Sequence, residues 1–341
     1  MQVSEVLVWL QYIACLALIL FAGTRLARYG DAIGEKTGVG GLWIGLVLLA
    51  AITSVPELVT GVSSAALVGL PDLAAGTLLG SCLFNLTLIA LLDILYRKGP
   101  ILGQARLRHV ASAGVGILLL AIVAASIWAG DSLSGVALGW LGVTSIIILI
   151  VYLVAIRQMF RFERSHPIPQ AVASPQYKDL PLKTVYLRFI LAALVVIGAG
   201  IWVSFVGDGI AEATGWGASF VGSLFLAIST SLPELVVTIA ALRLGAIDMA
   251  VADILGSNMF NIAIIFAVDL SYTQGPILSS VSESHLITAA VTMAMSLVVI
   301  LGLRFSQKVK TFKFISWYGL VLIGLYILGA YALFTSGMGL G

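Results

Sequence analysis

The sequence predicts an all-α membrane protein whose ten transmembrane helices form two inverted-topology repeats of five. Three observations carry that prediction. Sixty per cent of the 341 residues are hydrophobic and only 10% are charged, with a mean hydropathy of +1.10, which is more apolar surface than a water-soluble core could hide. The apolar residues gather in segments of about 20 or more, the length a helix needs to cross a bilayer. One polar motif recurs, in the same order, in both halves of the chain. A transmembrane barrel fits poorly, because barrel strands are about ten residues of alternating polarity and these runs are longer and uniformly apolar.

In chain order the expected spans are 5–24, 39–69, 73–96, 110–129, 133–156, 185–206, 216–244, 249–270, 285–303 and 312–335. The first has no basic residue ahead of it and no small-residue cleavage site, so it reads as a helix and not as a cleaved signal peptide. The second and seventh are about 30 residues long, roughly 45 Å as ideal helices against a hydrocarbon core of about 30 Å. They must tilt or break, and Pro56 and Pro233 mark the expected breaks, since proline removes one intrahelical bond and displaces the carbonyl four residues earlier. Cys15 and Cys82 fall inside spans and make no disulfide framework. His109, His166 and His285 stand far apart, without the spacing of a zinc or haem site. Asp93 and Asp269 end the third and eighth spans and are expected to anchor or pair there.

Between the fifth and sixth spans lies the longest polar segment, 157–184, with Pro167, Pro169, Pro175 and Pro181 and mixed charge. It reads as a cytoplasmic linker between a first repeat, 1–156, and a second, 185–341. All 18 basic residues fall in odd-numbered loops or, as Arg188, Arg243 and Lys313 do, at the span ends that border them, and the positive-inside rule places those loops in the cytoplasm, with both termini outside. The even loops carry acids or nothing, for example Asp72, Asp131, Asp208 with Glu212, and Glu283. Cations are expected to meet acidic or neutral vestibules there.

The repeat is specific. Ala50, Thr53, Ser54, Pro56, Glu57, Leu58 and Val59 recur 177 positions later as Ala227, Thr230, Ser231, Pro233, Glu234, Leu235 and Val236. Gly80, Ser81, Phe84, Asn85 and Asp93 recur 176 positions later as Gly256, Ser257, Phe260, Asn261 and Asp269. The motifs thus occupy 50–60 and 80–85 in one half and 227–237 and 256–261 in the other. Five spans is an odd number, so the second copy enters the bilayer from the opposite side, an arrangement found in secondary transporters.

Glu57 and Glu234 are the costly residues. A carboxylate at the centre of a bilayer costs roughly 2.5 to 3.5 kcal/mol even on a lenient insertion scale, and a carried cation is the cheapest partner. At helical spacing Thr53, Ser54 and Glu57 share one face, as do Thr230, Ser231 and Glu234. Ser81 with Asn85 and Ser257 with Asn261 are i, i+4 pairs on the helices that follow. Together these oxygens form a cage that selects hard cations. Two carboxylates balance one Ca²⁺, two Na⁺ or two protons, and the empty charged site is too costly to reorient. Asp253 steps along one face with Ser257 and Asn261. It is either a further carboxylate on the cytoplasmic approach or a helix-start acid held by the dipole.

At these residues the chain resembles the calcium/cation antiporter superfamily, whose two repeats carry Thr-Ser-x-Pro-Glu followed by Gly-Ser-Asn-x-Phe-Asn or Asp. The resemblance covers all ten spans in order. It implies a central Ca²⁺ position flanked by Na⁺ positions, with alternating access by sliding of the first and sixth helices. By that match Glu57 and Glu234 are the shared ligands. Thr53, Ser54, Thr230, Ser231, Ser81 and Ser257, with the carbonyls of Ala50 and Ala227, complete the positions, and Asn85 and Asn261 lie at the centre. Several residues depart from the pattern: Ile52 and Ser229 replace a usual Gly, Cys82 replaces the Asn kept as Asn258, and Thr77 and Asp253 replace another Asn. Asn261 stands where sodium/calcium exchangers commonly have Asp, and Asn at both central positions resembles proton/calcium exchangers.

The expected function is therefore a Ca²⁺/Na⁺ antiporter of the plasma membrane, with a proton-coupled calcium or other divalent-cation antiporter as the nearest alternative and a passive cation channel as a remoter one. Since one chain holds both halves of its site, a functional monomer is expected, surrounded by lipid, with no cofactor and no nucleic-acid partner. Neither His-Glu-x-x-His nor Gly-x-Ser-x-Gly occurs, so no enzymatic activity is expected.

Overall fold

Each half of the chain contains a helical stretch that is interrupted at a serine, Ser54 or Ser231, and the rest of the architecture is arranged around those two breaks. A computed structural model describes residues 3–37, 49–130, 132, 136–165, 180–305 and 309–337. The elements are α1 (Val3–Thr37), a helical turn over 49–53, α2 (Val55–Ser63), α3 (Pro71–Leu95), α4 (His109–Ala129), α5 (Val143–Ser165), α6 (Leu182–Thr214), α7 (Ala218–Val221), α8 (Ala227–Thr230), α9 (Leu232–Arg243), α10 (Ile247–Ser271), α11 (His285–Arg304) and α12 (Trp317–Gly337). Two π-turns, Ser64–Val68 and Gly222–Leu226, adjoin α2 and α8.

Among the described residues eight helices are long and apolar enough to cross a membrane, and a ninth crossing results if the pair Ala218–Thr230 and Leu232–Arg243, bent by 45°, is one span. Val55–Val68 is a shorter apolar helix. It belongs to the expected second span, of which 39–48 lie outside the described residues.

Some boundaries differ from those the sequence predicts. The first and sixth spans are much longer than expected, because α1 continues through Arg25, Arg28 and Lys36 and α6 begins at Leu182. A helix can leave the hydrocarbon and continue in water with charged residues on its sides, so hydropathy marks the buried part only. The linker is correspondingly shorter, since α5 runs through Ser165; 166–179 lie outside the described residues. The start of the expected fifth span is instead a two-residue hairpin, β1 (Ala137–Leu138) paired antiparallel with β2 (Leu141–Gly142). Gly139, at φ +68°, makes the turn that a side chain would oppose.

α3 and α10 form the centre, packed on each other and largely buried. α4 and α11 pack together beside them, α5 lies on α10, and α12 lies on α3 and α11. α1 runs alongside α6, and each of this pair also lies on the broken helix of the opposite half, α1 on α9 and α6 on α2. Their outer faces present Leu7, Leu10, Ile13 and Phe21 on α1 and Leu187, Ile190 and Leu194 on α6, an apolar rim suited to lipid. Glycines bring the backbones close. A Cβ on Gly23 would lie 2.4 Å from Pro233, and one on Gly200 would lie 2.9 Å from Val59.

Loops are tied down by acids. Asp93 is fully buried and accepts from the backbone N–H of Ile101 at 2.9 Å and of Ser316 at 2.7 Å, and from the hydroxyls of Ser316 and Tyr318. Asp269 accepts from the N–H groups of Gly142 at 2.9 Å and Ile277 at 2.7 Å. Both aspartates anchor the ends of their helices, as expected.

Candidate cation site

The helix breaks fall at the same residue in each motif. Ser54 has φ −88° and ψ 13°, and Ser231 has φ −88° and ψ 10°. The backbone steps at these residues without losing its hydrogen bonds: the N–H of Ser54 reaches Ala50 O at 3.0 Å and that of Leu58 reaches Ser54 O at 3.1 Å, while Ser231 reaches Ala227 O at 3.0 Å and Leu235 reaches Ser231 O at 3.2 Å. Pro56 and Pro233 sit in the first turn of the new helix, where a missing N–H costs nothing.

The step turns each serine toward the other half. The hydroxyl of Ser54 donates to Oε1 of Glu234 at 3.0 Å, and that of Ser231 donates to Oε1 of Glu57 at 2.8 Å. Both glutamates have no exposed surface. Ser81 on α3 donates to the same oxygen of Glu57 at 3.4 Å and shares a hydrogen bond with Thr230 at 3.4 Å. Oε2 of Glu57 and Oε2 of Glu234 have no hydrogen-bond partner. The amide oxygens and nitrogens of Asn85 and Asn261 and the hydroxyl of Ser257 are likewise buried and unpartnered. Buried polar atoms are ordinarily paired, so this concentration of exceptions singles the place out as the candidate site.

The remaining predicted residues are placed as follows. Thr53 donates to Ala50 O at 3.2 Å, and Thr230 donates to Leu226 O at 3.0 Å and Ala227 O at 3.3 Å. The carbonyls of Ala50 and Ala227 thus each accept both a backbone N–H and a threonine hydroxyl, so their participation in ion binding requires the threonines to turn away. Among the described residues no three His, Cys, Asp or Glu side chains cluster as a metal centre. The polar groups gathered here are carboxylates and neutral oxygens, a donor set of the kind that suits hard ions.

The departures from the motif have structural roles. Ile52 fills the space beside Gly30, where a Cβ would lie 2.5 Å from its Cδ1, and packs with Ala22, Leu26 and Val196. Ser229 donates to Tyr12 Oη at 3.0 Å and to Phe225 O at 2.8 Å. Both contacts seat α1 against the broken helices. Asn258 donates through Nδ2 to Cys82 O at 3.1 Å, pinning the crossing of α3 and α10.

Two pairs were missed in the sequence. Nε2 of His109 on α4 lies 3.0 Å from Asp248 at the start of α10, and Nε2 of His285 on α11 lies 3.1 Å from Asp72 at the start of α3. Arg106 adds a 2.8 Å ion pair to Asp248. Asp72 is therefore an inter-half clasp and not a free vestibule acid, because it also accepts the N–H of Ser282 at 2.7 Å. The signal was available: Asp72 with Asp248 and His109 with His285 share the 176-residue offset of the second motif.

Residues 7–157 and 184–335 match the family described as sodium/calcium exchanger protein. The inner membrane protein YrbG of Escherichia coli (strain K12) is 29% identical over 273 residues, covering 77% of this chain and 79% of its own. The sodium/calcium exchanger MaX1 of Methanosarcina acetivorans is 32% identical over 147 residues, covering 42% of this chain and 39% of its own. Among solved structures, the sodium-calcium exchanger NCX_Mj soaked with Na⁺ and Sr²⁺ superposes with a TM-score of 0.61 over 97% of this chain and 99% of that one, at 21% identity. At that identity the likeness speaks to the fold.

Proposed function

The chain belongs to the sodium/calcium exchanger protein family, and from that premise we propose that it exchanges Ca²⁺ for Na⁺ by alternating access at Glu57 and Glu234. It is a multi-pass membrane antiporter of cations and not an enzyme. The observation that carries the finer reading is the exchange of donors between the two motifs: each buried glutamate is held through one oxygen by the other half's serine, leaving its second oxygen unpartnered.

Two carboxylates carry a charge of −2, which one Ca²⁺ or two Na⁺ neutralises. Asn85, Asn261, Ser81 and Ser257 supply neutral oxygens, with Thr53, Thr230 and the carbonyls of Ala50 and Ala227 available after rotation of the threonines. Emptied of cations, the pair is too costly to carry through the hydrocarbon, so reorientation is tied to a loaded site and the two fluxes are coupled. α1 and α6 are the moving elements in this proposal. They touch the broken helices through Gly23 and Gly200, and small residues permit sliding where larger ones would interlock.

In this reading the chain spans the plasma membrane ten times as two inverted halves joined through 157–184, with both termini outside, and one chain is the functional unit. A second reading, proton-coupled Ca²⁺ transport, draws on the neutral Asn85 and Asn261 at the centre. Proteoliposomes loaded with Na⁺ and diluted into Na⁺-free medium should accumulate ⁴⁵Ca²⁺, whereas an imposed pH gradient alone should not. Uptake driven only by protons would defeat sodium coupling, and conductance far above turnover rates would make the protein a channel.

A further inference from the structure

The two junctions that seat α1 and α6 on the broken helices are not equivalent. α1 and α6 are themselves repeats, since Gly23, Gly30, Asp31, Ile33 and Glu35 recur 177 positions later as Gly200, Gly207, Asp208, Ile210 and Glu212. By that offset Tyr12 corresponds to Phe189, and Ser229 to Ile52. Phe189 of α6 packs against the apolar cluster that contains Ile52. At the other junction three oxygens meet instead. Tyr12 Oη on α1 donates to the carbonyl of Phe225 at 2.9 Å, and the Ser229 hydroxyl lies 3.0 Å from Tyr12 Oη and 2.8 Å from that carbonyl. Both side chains are buried. Phe225 belongs to the π-turn Gly222–Leu226, a kind of distortion frequent at functional sites. Aromatic rings enclose the oxygens: Trp9, three residues before Tyr12, meets Phe225 edge to face at 5.3 Å, Trp216 stacks on Phe225 at 5.6 Å, and Phe334 of α12 meets Trp216 at 6.2 Å. Eleven residues beyond Tyr12, about 16 Å along α1, Gly23 faces only the ring of Pro233.

We propose that Tyr12, Ser229 and the Phe225 carbonyl form a latch that fixes α1 to the broken helix of the second half and has to open each time α1 slides. The latch rests on the exchange reading above, in which α1 moves, and adds two positioning residues to it, neither of them a ligand of the cation. A hydrogen bond is directional, and in the hydrocarbon no water replaces one that breaks. Apolar contacts such as Gly23 on Pro233, or Phe189 beside Ile52, glide without that loss. Opening is tied to the cation site through α8. Ser229 and Thr230 are the last two residues of that short helix, and Ser231 follows it. The first bonds α1, the second bonds Ser81 and the Ala227 carbonyl, and the third bonds Glu57. Thr230 has to turn before the Ala227 carbonyl can meet a cation, so a shift of this one turn of helix acts on latch and site together. The latch lies toward the end of the bundle at which α1 begins, which the basic-residue pattern assigns to the outside. With no hydroxyl at Phe189 or Ile52, the hold on the moving pair is one-sided.

Exchange of ⁴⁵Ca²⁺ for unlabelled Ca²⁺ in proteoliposomes tests the latch whichever ion couples to Ca²⁺ in the net reaction. Tyr12→Phe, which copies Phe189, removes both bonds that cross to α1, and Ser229→Ala removes one. Each weakens the arrangement that α1 has to leave, so the maximal exchange rate should rise, about tenfold for Tyr12→Phe and about threefold for Ser229→Ala. The half-saturating Ca²⁺ concentration should stay within about twofold, because neither residue touches the ion. The double variant should gain no more than Tyr12→Phe alone, since both changes act on one bonded set. A cross-link supplies the converse. In a Cys15→Ala, Cys82→Ala background, Trp9→Cys combined with Phe225→Cys and bridged by a short bis-methanethiosulfonate should lose exchange in proportion to the bridged fraction and regain it with reductant. Full exchange by the bridged protein would overturn the proposal, as would an unchanged or lowered maximal rate in folded Tyr12→Phe. Wild-type protein that exchanges no Ca²⁺ would instead remove the exchange reading on which the latch rests.

Discussion

Around Glu57 one carboxylate oxygen receives two hydroxyls, from Ser231 at 2.8 Å and Ser81 at 3.4 Å, whereas Glu234 receives one, from Ser54 at 3.0 Å. Ser257, the counterpart of Ser81, bonds nothing. The helices behind the two serines also differ. α3 is wedged backbone to backbone against the stretch 219–223, where a Cβ on Gly80 would fall 2.4 Å from Ser223 Cα and one on Gly76 would fall 2.9 Å from Ser219 O. α10 instead lines up Asp253, Ser257 and Asn261 with their polar atoms free. A repeat that is nearly symmetric in its motif has thus produced a well-bonded side and an open one. The lesson is that duplicated ligands need not be held equally: each carboxylate keeps one oxygen without a partner, but the other oxygen receives two hydroxyls in Glu57 and one in Glu234.

The largest effect should come from removing either charge. Glu57→Gln and Glu234→Gln should each lower ⁴⁵Ca²⁺ exchange at least about a hundredfold, equivalent to about 2.7 kcal/mol or more, and a variant with normal flux would take its glutamate out of the mechanism. The anchoring aspartates should come next. Asp93→Asn should destabilise more than Asp269→Asn, because Asp93 collects the N–H groups of Ile101 and Ser316 and the hydroxyls of Ser316 and Tyr318, with Lys310 3.9 Å away, while Asp269 collects two N–H groups and the hydroxyl of Ser145. Each hydrogen bond to a charged group lost is worth about 1.5 to 3 kcal/mol, read as a difference in thermal or denaturant midpoint. Equal costs would contradict the contrast.

Gly80→Ala sharpens the comparison at the packing level. Its Cβ would meet backbone and not the tip of a side chain, so overpacking of about 1 to 3 kcal/mol is expected. Gly116→Ala, inside a helix and with nothing within 4 Å of its Cβ, should leave stability unchanged or raise it by up to about 1 kcal/mol. The smallest effects should separate the two serines. Ser231→Ala leaves Ser81 to serve Glu57, but Ser54→Ala leaves Glu234 with no hydroxyl. The half-saturating Ca²⁺ concentration should therefore shift more for Ser54→Ala, by about tenfold against about threefold, within the roughly 0.5 to 1.5 kcal/mol net worth of an ordinary hydrogen bond. The reverse order would show that Ser257 rotates to replace Ser54.

Much of this was open to a reader of the sequence. Apolar length announced the helices, and two overlong spans carrying Pro56 and Pro233 announced the breaks. The residue at which the chain steps was less accessible, since nothing in Ser54 or Ser231 differs from an ordinary helical serine until the following proline is placed in a new helix. The crossing of donors between halves was hidden for a different reason: spacing along a helix says which residues share a face but not which helix that face meets. The two-residue hairpin at Ala137–Gly142 and the continuation of α1 to Thr37 escaped because hydropathy reports the solvent around a segment and not its hydrogen bonds. Asp253 could be read two ways until the start of α10 was known.

The reciprocal serine donors have a consequence for how such a molecule can arise. A polypeptide ending after residue 156 would retain Glu57 but forfeit the hydroxyl of Ser231 that steadies it, and its own Ser54 would have no acceptor. Such a fragment needs a partner that returns the same contacts, either the other half or a second copy turned over against it. Co-expression of the severed pieces should therefore restore what neither achieves alone.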